Sequence, residues 1–459
     1  MHMLSIDTTS AYADNCRQSH RDFISTVLGS RHAARNTSNG NVKMTNKAPN
    51  HAADFTRRAA AEAPVAALTP LWVVIGLAMG PAVALGLARF AYALLLPAMR
   101  ADLGWSFANA GAMSTANAGG YLIGALVAVP LGKRIGDKPV FVFSLLLTSL
   151  AIGASGLTAN FSVLLALRLA AGFTGALAFV SGAALTSAAA SGGSKSRAPT
   201  LLGLYFSGAG VGVMASALAV PPLLESFGWR GGWLVLGALA LGATVFGALV
   251  VRYAPAPSYK SVGGARGGWS PRFMAPKLLA YALFGAGYIA YMTFIVAYLR
   301  GEEGFTRADV TRFWSILGLA SVVAAFAWGP ILGRLKGGWG TAATLAGVTI
   351  GAAVPMTWGG AAGAYLSAIL FGGSFLAVLA AVTSFARRAA KQHAWTAAIA
   401  ALTIAFGLGQ CVGPLLSGAL SDGASGLGAG LWLSVAILAV ATFVAVLQAE
   451  PAGHGAEKL

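Results

Sequence analysis

Twelve stretches of this chain run about 20 residues or more with almost no charge, and no other feature limits its fold as much. They fall at residues 70–99, 107–132, 139–160, 162–190, 199–223, 231–251, 278–299, 313–333, 338–360, 362–386, 395–420 and 426–448. A helix needs about 20 apolar residues to cross the ~30 Å hydrocarbon core of a bilayer. A membrane strand would alternate apolar and polar residues over ~10 positions, whereas these runs are apolar all round. In lipid, every backbone polar group must be paired within its own segment or within a closed barrel. The expected class is therefore an all-α membrane protein with twelve transmembrane helices. A soluble reading fails on charge: only 10% of the residues are Asp, Glu, Lys or Arg, against about 25% in soluble domains. The 60 glycines fit the same picture, because small residues let helices approach closely in lipid.

Charge then sets the orientation. The net charge is +17, but its basic residues border the apolar runs, which argues against nucleic acid as a partner. With the N-terminus in the cytoplasm, the inner loops hold fifteen Lys and Arg and one acid, Asp137. The outer loops hold five Arg and six acids: Asp102, Glu225, Glu302, Glu303, Asp309 and Asp422. Positive residues gather on the cytoplasmic side, so both termini are expected inside a cell inner membrane. Residues 1–68 are polar, lack an apolar signal region, and read as a disordered cytoplasmic tail. Met44 offers a second place for translation to begin, which leaves residues 1–43 open. Residues 252–277, rich in Pro, Gly and basic residues, read as a cytoplasmic linker. That divides the chain into six helices over 69–251 and six over 278–449, with a short tail at 450–459.

The two halves echo one another. Gly86 and Tyr92 in "GLARFAY" match Gly285 and Tyr291 in "GAGYIAY" at an offset of 199, with Arg89 falling on Tyr288. Pro130 matches Pro330, and Gly172 matches Gly372, both at an offset of 200. Two pseudo-symmetric six-helix bundles suit a carrier whose halves rock about a site between them.

These motifs resemble the major facilitator superfamily over about residues 69–450. "RLAAGFTG", with Arg168, Gly172 and Gly175, is similar to its fourth-helix motif. "PLGKRIGDK", with Gly132, Arg134, Gly136, Asp137 and Lys138, is similar to its cytoplasmic loop motif. It departs from that motif by carrying Lys133 at the usual Asp position and Asp137 at a usual basic one. "GLARFAY" and "AFGLGQCVGPLLSGALSD" look most like the bacterial YbfB/YjiJ branch. The resemblance implies a transporter of the inner membrane, with helices 1, 4, 7 and 10 lining a central cavity.

Arg89 and Arg168 are the two charges inside the twelve runs. An arginine at mid-bilayer costs about 2.5–3.5 kcal/mol on insertion scales, and neither run offers a carboxylate to pair with. A guanidinium facing a cavity takes two oxygens of a carboxylate or phosphate at once. Arg89 is therefore expected to bind an anionic solute, with Tyr92, Tyr288 and Tyr291 nearby. The alternative for Arg89 is a structural role on backbone carbonyls. Arg168, Gly172, Gly175, Gln410, Gly413 and Pro414 are expected to be structural or gating residues. Asn117, Thr174 and Ser374 read as polar contacts between helices, and Trp105, Trp229 and Trp339 as an interfacial belt.

No membrane carboxylate or histidine is available as a proton site, so a proton as coupling ion stays open, carried on the substrate if at all. No cofactor, metal spacing or catalytic pair is expected. The expected function is a secondary or facilitative transporter of a small organic solute, favouring an anion and working as a monomer in membrane lipid. A drug or metabolite exporter is the alternative within the class, and a membrane solute sensor the alternative outside it.

Overall fold

The computed structural model describes residues 69–191, 198–257, 268–391 and 394–451. The tail expected at 1–68, the tip of the linker and the last residues of the chain lie outside these. The described residues hold eleven long apolar helices. One of the eleven, Ala198–Val251, is two helices joined at Gly228, whose φ of 62° and ψ of −169° break the helical path. That gives twelve crossings among the described residues: α1 (Pro70–Leu103), α2 (Phe107–Ile135), α3 (Asp137–Ala154), α4 (Phe161–Ser191), α5 (198–227), α6 (229–251), α7 (Ala275–Gly301), α8 (Arg307–Leu332), α9 (Trp339–Thr357), α10 (Gly360–Ala389), α11 (Trp395–Ser421) and α12 (Gly426–Val446). Glycine serves at the α5–α6 corner because a side chain rarely tolerates positive φ. Phe143, Leu157 and Phe443 stand well exposed on the outside of the bundle, as lipid-facing side chains must.

Odd-numbered helices run from an end rich in Lys and Arg to an end bearing Asp102, Glu225, Glu302, Glu303, Asp309 and Asp422. These are called the basic and acidic ends below. Helix α7 begins at Ala275, three residues earlier than the apolar run suggests. The extension is stabilised by Lys277, which is fully buried. Its Nζ donates to Thr341 Oγ1 at 2.8 Å and lies 4.4 Å from the centre of the Phe385 ring. Hydropathy places Lys277 in a loop because it cannot register a charge whose partners sit on α9 and α10.

The internal repeat appears in the packing. A Cβ on Gly86 of α1 would stand inside 3.0 Å of the Gly212 backbone on α5, and one on Gly285 of α7 inside 3.0 Å of Phe406 O on α11. Likewise a Cβ on Gly172 of α4 would meet Asn117 O on α2, and one on Gly372 of α10 would meet Leu317 O on α8. Matched glycines thus seat matched helix pairs, which is what two similar halves require.

Side chains latch the halves together at the acidic end. Asp422, closing α11, accepts from the Phe107 and Ala108 amides at 2.7 and 2.9 Å. It thereby satisfies free donors at the start of α2. Arg307 of α8 pairs with Glu225 of α5. Deeper in, Thr293 Oγ1 donates to Ser114 Oγ at 3.0 Å and Thr115 Oγ1 donates to Cys411 O at 2.8 Å. A Cβ on Gly111 would collide with Pro414 O, so α2 and α11 touch backbone to backbone.

The three tryptophans expected to form an interfacial belt part company. Trp339 is exposed at the start of α9, whereas Trp105 and Trp229 are buried. Trp105 packs edge-on against Phe161, and Trp229 Nε1 donates to Asp102 Oδ2 at 2.8 Å. Both tie α1 to neighbouring helices instead of facing headgroups.

Candidate functional site

Helix α1 does not keep one pitch. Residues Ala82–Phe90 form a nine-residue π-helix, closed by the Ala91 N–H donating to Gly86 O at 3.0 Å. The segment starts directly after Pro81, which has no N–H to give an α-helical ladder. Wide turns of this kind gather at functional sites. Arg89 sits in the last turn of this one.

Arg89 is buried, at 6% exposure, yet its Nε and Nη2 have no hydrogen-bond partner. Its guanidinium carbon lies 5.3 Å from the centre of the Tyr121 ring. Leaving such donors unpaired away from water is costly, so a buried bare pair of N–H donors marks a place for an acceptor to arrive.

Two cavities meet at Arg89 and Phe90. The first, about 10 Å³ and so near the room one water needs, lies toward the acidic end, where Tyr92, Ser114, Asn117, Arg168 and Thr293 line it. The second, about 20 Å³, lies toward the basic end. It is lined by Leu85, Leu376 and Leu379 and by the rings of Phe90, Tyr121, Phe179, Tyr288, Phe375 and Phe406. The helices of the first half (α1, α2, α4) and the second (α7, α10, α11) both contribute. One wall is a bank of near-parallel rings. Tyr288 and Phe406 are 5.7 Å apart at 7°, Phe284 and Tyr288 4.8 Å apart at 20°, and Tyr288 and Phe375 6.2 Å apart at 19°.

The other arginine is engaged through Nη1, although its Nε is also buried without a partner. Arg168 Nη1 donates to Ala88 O, in the π segment, at 2.6 Å. Its guanidinium carbon lies 5.1 Å from the Tyr92 ring and 5.2 Å from the Trp233 ring. It holds α4 against α1 and presents one edge to the acidic-side cavity.

The tyrosines separate. Tyr288, at the position the repeat matches to Arg89, lines the basic-side cavity, and its hydroxyl accepts from Gln410 Nε2 at 2.6 Å. Tyr92 lines the other cavity and donates to Ala110 O at 2.9 Å. Tyr291 reaches neither described cavity: its hydroxyl bonds Ser367 Oγ at 2.6 Å and its ring stacks on Phe371. The remaining residues hold helices. Gln410 is fully buried, with Oε1 unpartnered. Gly413 lets α11 approach Ala286 of α7, Pro414 abuts Gly111, and Gly175 faces Ala84 in the π segment. Asn117 Nδ2 donates to Arg168 O at 3.1 Å, and Thr174 bonds Thr148 at 2.7 Å. In the loop motif, Gly136 turns the chain at φ 92° next to buried Gly132 and Asp137. Arg134 is exposed, and Lys138 Nζ donates to Arg252 O at 3.0 Å at the end of α6.

Sequence reasoning missed the six-ring lining. Phe371, Phe375 and Leu379 at i, i+4 and i+8 on α10 form a stripe that reads equally well as core. Only the helix rotations show that Phe375 and Leu379 reach the cavity.

Known proteins share this architecture. Residues 81–446 match the family described as "Uncharacterised MFS-type transporter YbfB". The chain is 31% identical to monocarboxylate transporter 11 of Homo sapiens over 218 residues, which is 46% of this chain and 43% of that one. It is also 31% identical to the Mus musculus protein of the same name over 220 residues, 46% and 45% of the two chains. The chain thus spans less than half the length of these relatives. Among solved structures, the nucleoside transporter NupG superposes with a TM-score of 0.65 at 13% identity, covering 82% of this chain and 98% of that one. A bacterial homologue of the human lysosomal transporter Spinster, inward-facing and occupied, gives 0.63 at 16% identity, with 82% and 96% covered. At such identities the likeness shows the fold alone.

Proposed function

The chain belongs to the YbfB-type family of the major facilitator superfamily, and from that premise we propose that this membrane transporter moves a small organic anion by alternating access. The observation that carries the reading is the pair of unpartnered guanidinium nitrogens of Arg89, Nε and Nη2, buried where two cavities lined by both halves meet. An anion arriving there supplies the acceptors Arg89 lacks, and its planar fork takes two carboxylate oxygens together. Tyr288 faces the same space from the second half. Tyr92 and Tyr291 support it by fixing α1 and α7. The name of the monocarboxylate relatives points to the same charge.

In this reading the basic end faces the cytoplasm, and the protein works as a monomer in the inner membrane. The six-helix halves are 69–251 and 278–449, bridged by the linker 252–277 and flanked by tails at 1–68 and 450–459. A proton, where one is coupled, travels on the substrate. The test is counterflow into liposomes holding only this protein, with labelled carboxylates, sulfonates, sugars and cationic drugs. Exchange of anions alone supports the proposal; exchange of sugars or cations without anions overturns it.

Alternating access requires the acidic end to part. Asp422→Ala removes two charge-assisted bonds from a seam that keeps the exposed Arg307–Glu225 pair, worth about 0–1 kcal/mol, and the Thr115–Cys411 bond. In a chain lacking Cys16 and Cys411, a Ser114→Cys probe reports opening of this end through an impermeant maleimide. Labelling should quicken roughly fivefold to thirtyfold, the factor that about 1–2 kcal/mol makes in a two-state equilibrium. Unchanged labelling would remove Asp422 from the gate.

A further inference from the structure

The chamber on the basic side of Arg89 has a chemistry narrower than "organic anion". We infer that the solute is a monoanion with a flat, apolar ring body, its head on Arg89 and its ring among the aromatic side chains of the chamber, which is closed down to about 20 Å³ here and widens to admit it; this rests on the anion reading above.

Three observations carry it. First, the chamber joins one cation to an otherwise apolar lining. Six aromatic rings and three leucines surround the guanidinium, and the nitrogens Nε and Nη2 are buried without partners. An aromatic bank alone would be ordinary core; a bare, 6%-exposed cation at its edge marks a place for a ligand. Second, the Tyr288 ring lies within 20° of parallel to both Phe375 and Phe406. A flat ring can stack offset on such a bank or meet its edges, and a bulky aliphatic body cannot use that geometry as well. Third, Arg89 has no second cation beside it among the described residues that line the chamber. Arg168 lies on the acidic side, bonded to Ala88 O and set between Tyr92 and Trp233. A second carboxylate in the ring chamber would be desolvated without a countercharge, at high cost.

The same lining rejects sugars and other polyols. Besides Arg89, its hydrogen-bonding groups among the described residues are only the hydroxyls of Tyr121 and Tyr288, the latter already accepting from Gln410, too few for a polyol; the leucines and phenylalanines offer none. Hydroxyls carried into the chamber would lose water without replacement.

The test uses the full-length purified chain and titration calorimetry with five probes: benzoate, cyclohexanecarboxylate, acetate, terephthalate and benzamide. Benzoate should bind at least tenfold more tightly than acetate and more tightly than cyclohexanecarboxylate. The dianion terephthalate and the neutral benzamide should each bind at least tenfold more weakly than benzoate. Phe406→Leu and, independently, the half-buried Phe179→Ala should weaken benzoate by roughly threefold to tenfold and leave acetate within about twofold. Two separate positions keep the test alive if one variant fails to fold. Benzoate and acetate binding equally, both lost in Arg89→Gln, would overturn the ring chamber and leave the anion carrier standing. Binding of benzoate that persists in Arg89→Gln would overturn both.

Discussion

Replacing Arg89 with glutamine should sharply weaken the proposed anion binding and transport and leave a folded protein of equal or higher melting temperature. The two effects have opposite signs for one reason. In the resting structure Arg89 makes no hydrogen bond through Nε or Nη2, and its aromatic neighbour Tyr121 lies 5.3 Å away. Removing the charge therefore sacrifices little internal bonding and relieves a desolvated cation, which costs about 2.5–3.5 kcal/mol in mid-bilayer. With the anion bound, the same guanidinium is half of a buried charge pair. Truncating one partner of such a pair costs about 2–5 kcal/mol, or roughly 30-fold to 4,000-fold in affinity. Arg89→Lys keeps the charge and loses the planar fork, so partial activity should return. Counterflow in liposomes, run beside thermal unfolding of the same preparations, reads both quantities. Uptake equal to wild type in Arg89→Gln would end the anion mechanism, and a collapse in melting temperature would make Arg89 a structural residue.

Gly172→Leu should prevent the first half from assembling. A Cβ at that position would stand inside 3.0 Å of Asn117 O, closer than any real contact. The helices cannot simply slide apart. On α2, a Cβ on Gly120 would collide with Leu169 O, and one on Gly124 with Phe173 O. The α2–α4 seam is thus closed by small residues over its length, and the Asn117–Arg168 bond lies on it. Overpacking of a tight seam typically costs about 1–3 kcal/mol; a clash with backbone on a seam that cannot retreat should exceed that range. The expected result is loss of the monodisperse peak on size-exclusion chromatography. Gly242→Ala, where nothing lies within 4 Å, is the matched control and should leave the peak unchanged. A well-behaved Gly172→Leu protein would show that the seam can open.

The contrast between these two positions shows what the sequence makes legible. Long apolar runs mark the crossings because hydrophobic length is a property of local sequence. The gap between the runs ending at 223 and starting at 231 contains the bend at Gly228. The repeat is readable in Gly86 with Gly285 and Gly172 with Gly372, since close backbone approach demands glycine at each copy. Arg89 is visible for the same local reason: a charge stands out in an apolar run. What stays hidden depends on helix rotation. Sequence shows that Tyr92, Tyr288 and Tyr291 recur along their helices, but not that Tyr291 turns toward Ser367 and away from the cavities. Nor does it show that Trp229 finds Asp102, or that Lys277 finds Thr341. Each of those partnerships joins residues between 64 and 127 positions apart, beyond the reach of any local pattern.

The wide turn of α1 carries a consequence for chain length itself. A stretch wound at five residues per hydrogen-bonded step holds one residue more than an ordinary coil of the same contact pattern. Deleting one residue between Ala82 and Ala88 should let the coil tighten to regular pitch, and the slack, not the seam with α5, should absorb the loss. A cation that follows the lost residue would then keep its aim, whereas without that slack every later side chain would turn by about 100°.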